Sequence, residues 1–144
     1  MAVNQYYSCP VGDFHGKANY KMIVNESTEN YLETILILSK RLPVVRSVDI
    51  ANELGFKKSS VSIAMKKLRE SNYIIVTDAG FIYLTDSGRN IADMIYERHE
   101  FITEWLIKIG VSSDIAKDDA CRIEHILSKE SYNAIKKFVQ IHMI

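Results

Sequence analysis

Apolar residues recur along this chain with two periods, and the switch between them marks out its elements. Beginning at Ser27, the residues Leu32, Ile35 and Leu36 form a helical stripe, with Ser27 and Thr28 as N-caps, Glu29 in the first turn and Pro43 as the stop. A short second helix is expected next, capped by Ser47, buried through Val48, Ile50, Ala51 and Leu54, and ended by Gly55. After a turn through Phe56 and Lys57, the residues Val61, Ala64, Met65 and Leu68 fall at i, i+3, i+4 and i+7, which predicts an amphipathic third helix. The pattern then turns β-like. Tyr73 to Thr77 and Phe81 to Thr85 are rich in β-branched and aromatic residues, and Asp78-Ala79-Gly80 supplies the turn of a hairpin.

Helical periodicity returns at Asp86-Ser87-Gly88, which opens a long helix with Ile91, Ile95, Ile102, Leu106 and Ile109 as its apolar positions and Gly110 as its end. Ser112 or Ser113 caps another helix, packed through Ala120, Ile123 and Leu127. A last one carries Tyr132, Ile135, Phe138 and Val139. The fold class is therefore mainly α: an N-terminal winged helix-turn-helix with a two-stranded wing, then an all-helical region. The domains expected are a poorly ordered arm over 1–26, the winged unit over 27–86 and the helical unit over 87–144. Within the arm Met22 offers an alternative start, and Cys9 and His15 are two isolated donors, too few to make a metal site.

Charge changes the picture only through its distribution. Eighteen basic and eighteen acidic residues cancel over the 144 residues. From Arg46 to Arg69, however, six basic residues stand against two acidic ones, whereas from Asp86 onward acidic residues outnumber basic ones ten to eight. A local basic patch on a neutral chain suits a regulated DNA binder. No apolar run approaches the roughly 18 residues of a membrane span and no signal peptide is visible, so a cytoplasmic protein is expected. The two cysteines then read as free thiols in a reducing compartment.

The third helix is the expected DNA reader. Its outward face holds Lys57, Lys58, Ser59, Ser60, Ser62, Lys66 and Lys67, short hydroxyls for close approach and ammonium groups for phosphates. Ser59 and Ser60 open the helix, where backbone N–H groups also meet phosphate. A solvated lysine face is the alternative; the wing and the glycine-marked turn favour DNA.

Cys121, Glu124 and His125 carry the second chemistry. At i, i+3 and i+4 they place a thiol, a carboxylate and an imidazole on one helix face, a natural N/O/S donor set for a transition metal. Each has a plainer explanation alone: a small buried hydrophobe, a solvated acid, a histidine paired with its neighbour. His99 strengthens the metal reading, because it lies on the apolar stripe between Ile95 and Ile102 and is placed to face the cluster. Asn30 and Glu33, at i and i+3 on the first helix, are polar neighbours able to complete the shell.

Thr28-Glu29-Asn30-Tyr31-Leu32-Glu33, Asp49-Ile50-Ala51, Ser59-Ser60-Val61-Ser62, Leu84-Thr85 to Gly88, Arg98-His99-Glu100 and Cys121-Arg122-Ile123-Glu124-His125 together resemble the diphtheria toxin repressor and manganese transport regulator family, over roughly residues 27–140. The resemblance implies a homodimeric, metal-activated transcriptional repressor of metal-homeostasis genes, with dimer interface and metal sites in the helices after the wing. Some members carry a further C-terminal domain, for which this sequence ends too soon. Glu33, His99, Cys121, Glu124 and His125 match positions that ligate metal in one or both branches of the family. Asn30 stands where the branches use Met or Asp. Thr103 and Lys117 replace Glu and His ligands of the iron-responsive branch, which argues against that branch's ancillary site. Glu33 resembles the manganese branch and Cys121 the iron branch. A thiolate favours Fe2+, Co2+, Ni2+ or Zn2+ over Mn2+, so Fe2+ is expected first and Mn2+ close behind.

The expected mechanism is a coupling free energy: metal holding Glu33 of the DNA-reading unit to the donors of the dimer core sets two recognition helices about 34–36 Å apart on a palindromic operator. The rival of the same class is a winged-helix regulator sensing an organic ligand, with His99 and Cys121 as core residues. A metalloenzyme is disfavoured, since no His-Glu-x-x-His helix or general base beside an open metal position is present.

Overall fold

The structure, a computed structural model, describes residues 20–143. The segment up to Asn19, with Cys9 and His15, lies outside the described residues. Among these, the elements run α1 (Tyr20–Arg41), α2 (Ser47–Leu54), α3 (Lys58–Glu70), β1 (Ile74–Val76), β2 (Ile82–Leu84), α4 (Asp86–Lys108), α5 (Ser113–Ile126) and α6 (Lys129–His142). They divide into two compact units, one up to Asp93 and one from Met94, so the division falls within α4.

In the first unit α1 packs on α2 and β2, and α3 packs on α2 and β1. The apolar stripes explain this: Leu32, Ile35, Leu36, Ile50, Leu54, Val61, Met65, Leu68, Ile74 and Ile82 are all buried. Two helix starts differ from expectation. α1 begins at Tyr20, so Ser27 and Thr28 lie inside the helix rather than capping it. Ser47 is the first helical residue of α2, and the preceding Arg46 N–H is held by Asp49 Oδ2 at 2.9 Å. Val48 is exposed instead of buried. At the other end Gly55 adopts φ 68°, the left-handed conformation that ends a helix at little cost for glycine. An Arg41–Glu53 ion pair of 2.8 Å ties α1 to α2.

The wing is an antiparallel pair in the register Ile74–Leu84, Ile75–Tyr83, Val76–Ile82, slightly shorter than its apolar runs. Its turn closes as Gly80 N–H donates to Thr77 O at 2.9 Å and Phe81 N–H donates to Thr77 Oγ1 at 3.0 Å. Ile74 and Ile82 face the core, while the opposed Ile75 and Tyr83 are exposed.

The second unit is helical. Ile95, Ile102, Ala116, Ala120, Cys121, Glu124, Tyr132 and Val139 are its buried positions. Ser112 is the N-cap of α5. Ser128 caps α6, its side chain accepting from the Ser131 N–H at 3.0 Å. Two expected apolar positions are exposed: Ile109 just past α4, and Phe138 on α6, at 60%. Among the described residues no helix is long and apolar enough to cross a membrane.

Candidate metal centre and nucleic-acid face

Packing in the second unit brings four of the expected donors together. α4 presents His99 and α5 presents Cys121, Glu124 and His125. His99 Nδ1 lies 2.9 Å from Glu124 Oε2 and 3.7 Å from Cys121 Sγ. His125 Nε2 lies 3.3 Å from the other carboxylate oxygen, Oε1. Glu124 thus sits between two imidazoles, with its side chain 0% exposed. An isolated carboxylate at such a depth is strongly disfavoured and needs partners or a cation.

The donor set fits a divalent transition metal. The nitrogen, sulfur and oxygen donors of His99, Cys121 and Glu124 lie within 4.8 Å of one another, a spacing that one ion with ligand bonds of about 2.0–2.3 Å spans. Cys121 is a ligand as its thiolate, the form in which the sulfur carries charge.

Arg98 organises this corner. Its Nη1 donates to Glu124 O at 3.1 Å and to Leu127 O at 2.8 Å, so a buried cation satisfies carbonyls that the end of α5 leaves open. The guanidinium lies over the Tyr132 ring at 4.8 Å. Burial pushes the Tyr132 hydroxyl above its ordinary pKa. The signal was available: Arg98 shares the stripe of Ile95 and Ile102, where a solvated arginine does not belong.

Asn30 and Glu33 lie on α1 of the first unit, both buried, with Thr34 Oγ1 donating to Asn30 O at 2.8 Å. All seven expected DNA-facing residues, the α3 N-cap Lys57 and, on α3, Lys58, Ser59, Ser60, Ser62, Lys66 and Lys67, are exposed, the helical ones opposite the buried Val61, Met65 and Leu68. Ile63 is exposed among them, an apolar residue off the apolar stripe.

Comparison with known proteins agrees with both halves. Residues 24–80 match the profile of the iron dependent repressor N-terminal DNA binding domain, and residues 85–141 that of the iron dependent repressor metal binding and dimerisation domain. The transcriptional regulator MntR of Escherichia coli O6:H1 is 32% identical over 117 residues, covering 81% of this chain and 76% of that protein. The HTH-type transcriptional regulator MntR of Geobacillus kaustophilus is 35% identical over 114 residues, covering 79% of this chain and 81% of that one. Among solved structures, a manganese-dependent transcriptional repressor in complex with manganese is 27% identical with TM-score 0.71, covering 78% of this chain and 52% of that one. The T. acidophilum IdeR structure is 28% identical with TM-score 0.62, covering 76% and 53%. The chain therefore spans about half the length of these solved chains.

Proposed function

The chain belongs to the iron-dependent repressor family of metal-responsive, DNA-binding transcriptional repressors, and on that premise we propose how its residues divide the work. The observation that carries the proposal is the cluster of half-buried His99 with buried Cys121 and Glu124, whose donor chemistry suits Fe2+ or Mn2+. The relatives are transcriptional regulators, not enzymes. His99, Glu124, His125 and reduced Cys121 are proposed as ligands from the helical half. Glu33, with Asn30, is proposed from the DNA-reading half on its match to the family's metal positions. The domain limits expected from sequence, 27–86 and 87–144, are kept as the functional division.

When bound, a divalent cation supplies the positive charge that offsets the buried carboxylate. The protein's own part in the helical half is to hold His99, Cys121, Glu124 and His125 in one arrangement. Arg98 fixes the end of α5, Glu124 orients the two imidazoles, and α3 offers its lysines and serines to DNA. Ligand binding in one half then biases the reading head in the other, which is the coupling a corepressor requires.

A homodimer suits the second unit, which leaves Ile115, Ile126, Phe138 and Ile141 exposed. Two-fold symmetry in turn favours a palindromic operator. A DNA partner implies a cytoplasmic site of action. Metal-homeostasis genes are the proposed targets.

Titration of Fe2+ or Mn2+ into a gel-shift assay on reduced protein tests the reading. Operator binding is expected to appear with metal and vanish with chelator. Equal binding with chelator throughout would favour a regulator that senses an organic ligand.

A further inference from the structure

Ile63 is the one large apolar residue on the DNA-facing side of α3, and it is 59% exposed. One turn before it stand Ser59 and Ser60; Ser62 is beside it, and Lys66 and Lys67 stand one turn after, all exposed. A single exposed isoleucine is ordinary. Its surroundings are not. It lies at the centre of a face otherwise made of hydroxyl and ammonium groups, on the helix expected to meet base edges with its N-terminal half. Lysines flanking it complement the negative charge of the phosphate backbone, and the serines are short enough to let the helix approach closely.

In the major groove the apolar group that a base edge presents is the thymine 5-methyl. We propose that Ile63 is a specificity-determining residue that packs on a thymine methyl in each operator half-site. Cytosine at the same place would instead set an amino donor against a side chain that cannot accept it. The proposal rests on the DNA-binding reading above and goes beyond it by naming the base chemistry that α3 selects. Flanking lysines give affinity without sequence information, so Ile63 and the serines carry the discrimination.

The test uses the full chain, reduced and loaded with Mn2+, to select duplexes from a random library. Each thymine of the selected half-site is then replaced singly by deoxyuridine, which lacks only the 5-methyl. For the unaltered protein, one thymine per half-site is expected at which this replacement weakens binding about fourfold, the scale of one buried methyl group. For Ile63→Ala that position is expected to become insensitive, with the salt dependence of binding unchanged. Ile63→Val is expected to lie between. Uracil tolerated at every position, or equal losses in all three proteins, overturns the proposal while leaving DNA binding intact. A change in oligomeric state of Ile63→Ala with unaltered thymine preference also overturns it, and assigns Ile63 to an interface between copies. Recovery of no duplex overturns both this proposal and the DNA-binding reading.

Discussion

His99 Nδ1 and Glu124 Oε2 stand 2.9 Å apart, joining α4 to α5 through a carboxylate that has no exposure to solvent. Such a pair keeps a charge buried only because its neighbours are arranged around it. Glu124→Gln preserves the volume and removes the charge and one anionic donor. Mn2+ affinity is expected to fall by at least the roughly 10–100-fold associated with losing even an outer partner of a ligand. Calorimetric titration checks this, with circular dichroism confirming that the helices persist. Unchanged affinity would remove Glu124 from the site.

Cys121 couples the site to redox state. Oxidation of the sulfur would withhold it from metal, whereas the reduced thiol offers a donor 3.7 Å from His99 Nδ1. Metal affinity is therefore expected to rise when the protein is reduced, most for the softer ions Zn2+ and Co2+ and least for Mn2+. Cys121→Ser is expected to abolish that difference. Titrations run with and without a phosphine reductant decide it; identical affinities in both conditions would exclude Cys121 as a ligand.

Most helices were legible because their apolar positions keep a helical period. The hairpin was legible because Asp78-Ala79-Gly80 interrupts two β-rich runs. What escaped has a common cause. Periodicity says which face of a helix is apolar, and nothing about whether the same chain covers it. Phe138 and Ile109 fit their stripes and are nevertheless exposed. The start of α1 was misread because Ser27 and Thr28 look like caps, while the helix runs through them from Tyr20. The donors on α5 were legible from i, i+3, i+4 spacing. Arg98 is legible as an arginine on an apolar stripe, but its partners, two carbonyls near the end of another helix, are recorded in no local pattern.

Arg98 positions that cluster through the main chain. Arg98→Met keeps the apolar contact with Tyr132 and leaves the Glu124 and Leu127 carbonyls without their charged donor. Losing hydrogen bonds to a buried charged group costs on the order of 2–4 kcal/mol. A lowered urea midpoint for metal-free protein is the expected outcome. Full stability would mean that water replaces the guanidinium there.

Gly88 is required by a close approach. A Cβ at this position would collide with the main-chain carbonyl of Tyr73, which accepts the Thr85 N–H at 3.0 Å. Gly88→Ala favours helix formation by up to about 1 kcal/mol, yet a backbone neighbour cannot swing aside as a side chain can. The clash is expected to win, with a net loss of about 1–3 kcal/mol. Equilibrium unfolding measures it; a gain in stability would show that the wing yields.

Phe138 separates metal binding from assembly. It is 60% exposed on α6, on a unit that also exposes Ile115, Ile126 and Ile141, and the donors His99, Cys121 and Glu124 all come from one chain. Phe138→Glu places a charge where a second copy is expected to pack, and a buried unpaired carboxylate outweighs the apolar contact of one side chain. Analytical ultracentrifugation is expected to show a monomer, with metal affinity within about threefold of the unaltered protein and folded structure retained. Operator affinity is expected to fall far more steeply, because a monomer engages a single half-site and loses the second contact held at fixed distance. A dimer that survives Phe138→Glu would place the interface elsewhere on the helical unit.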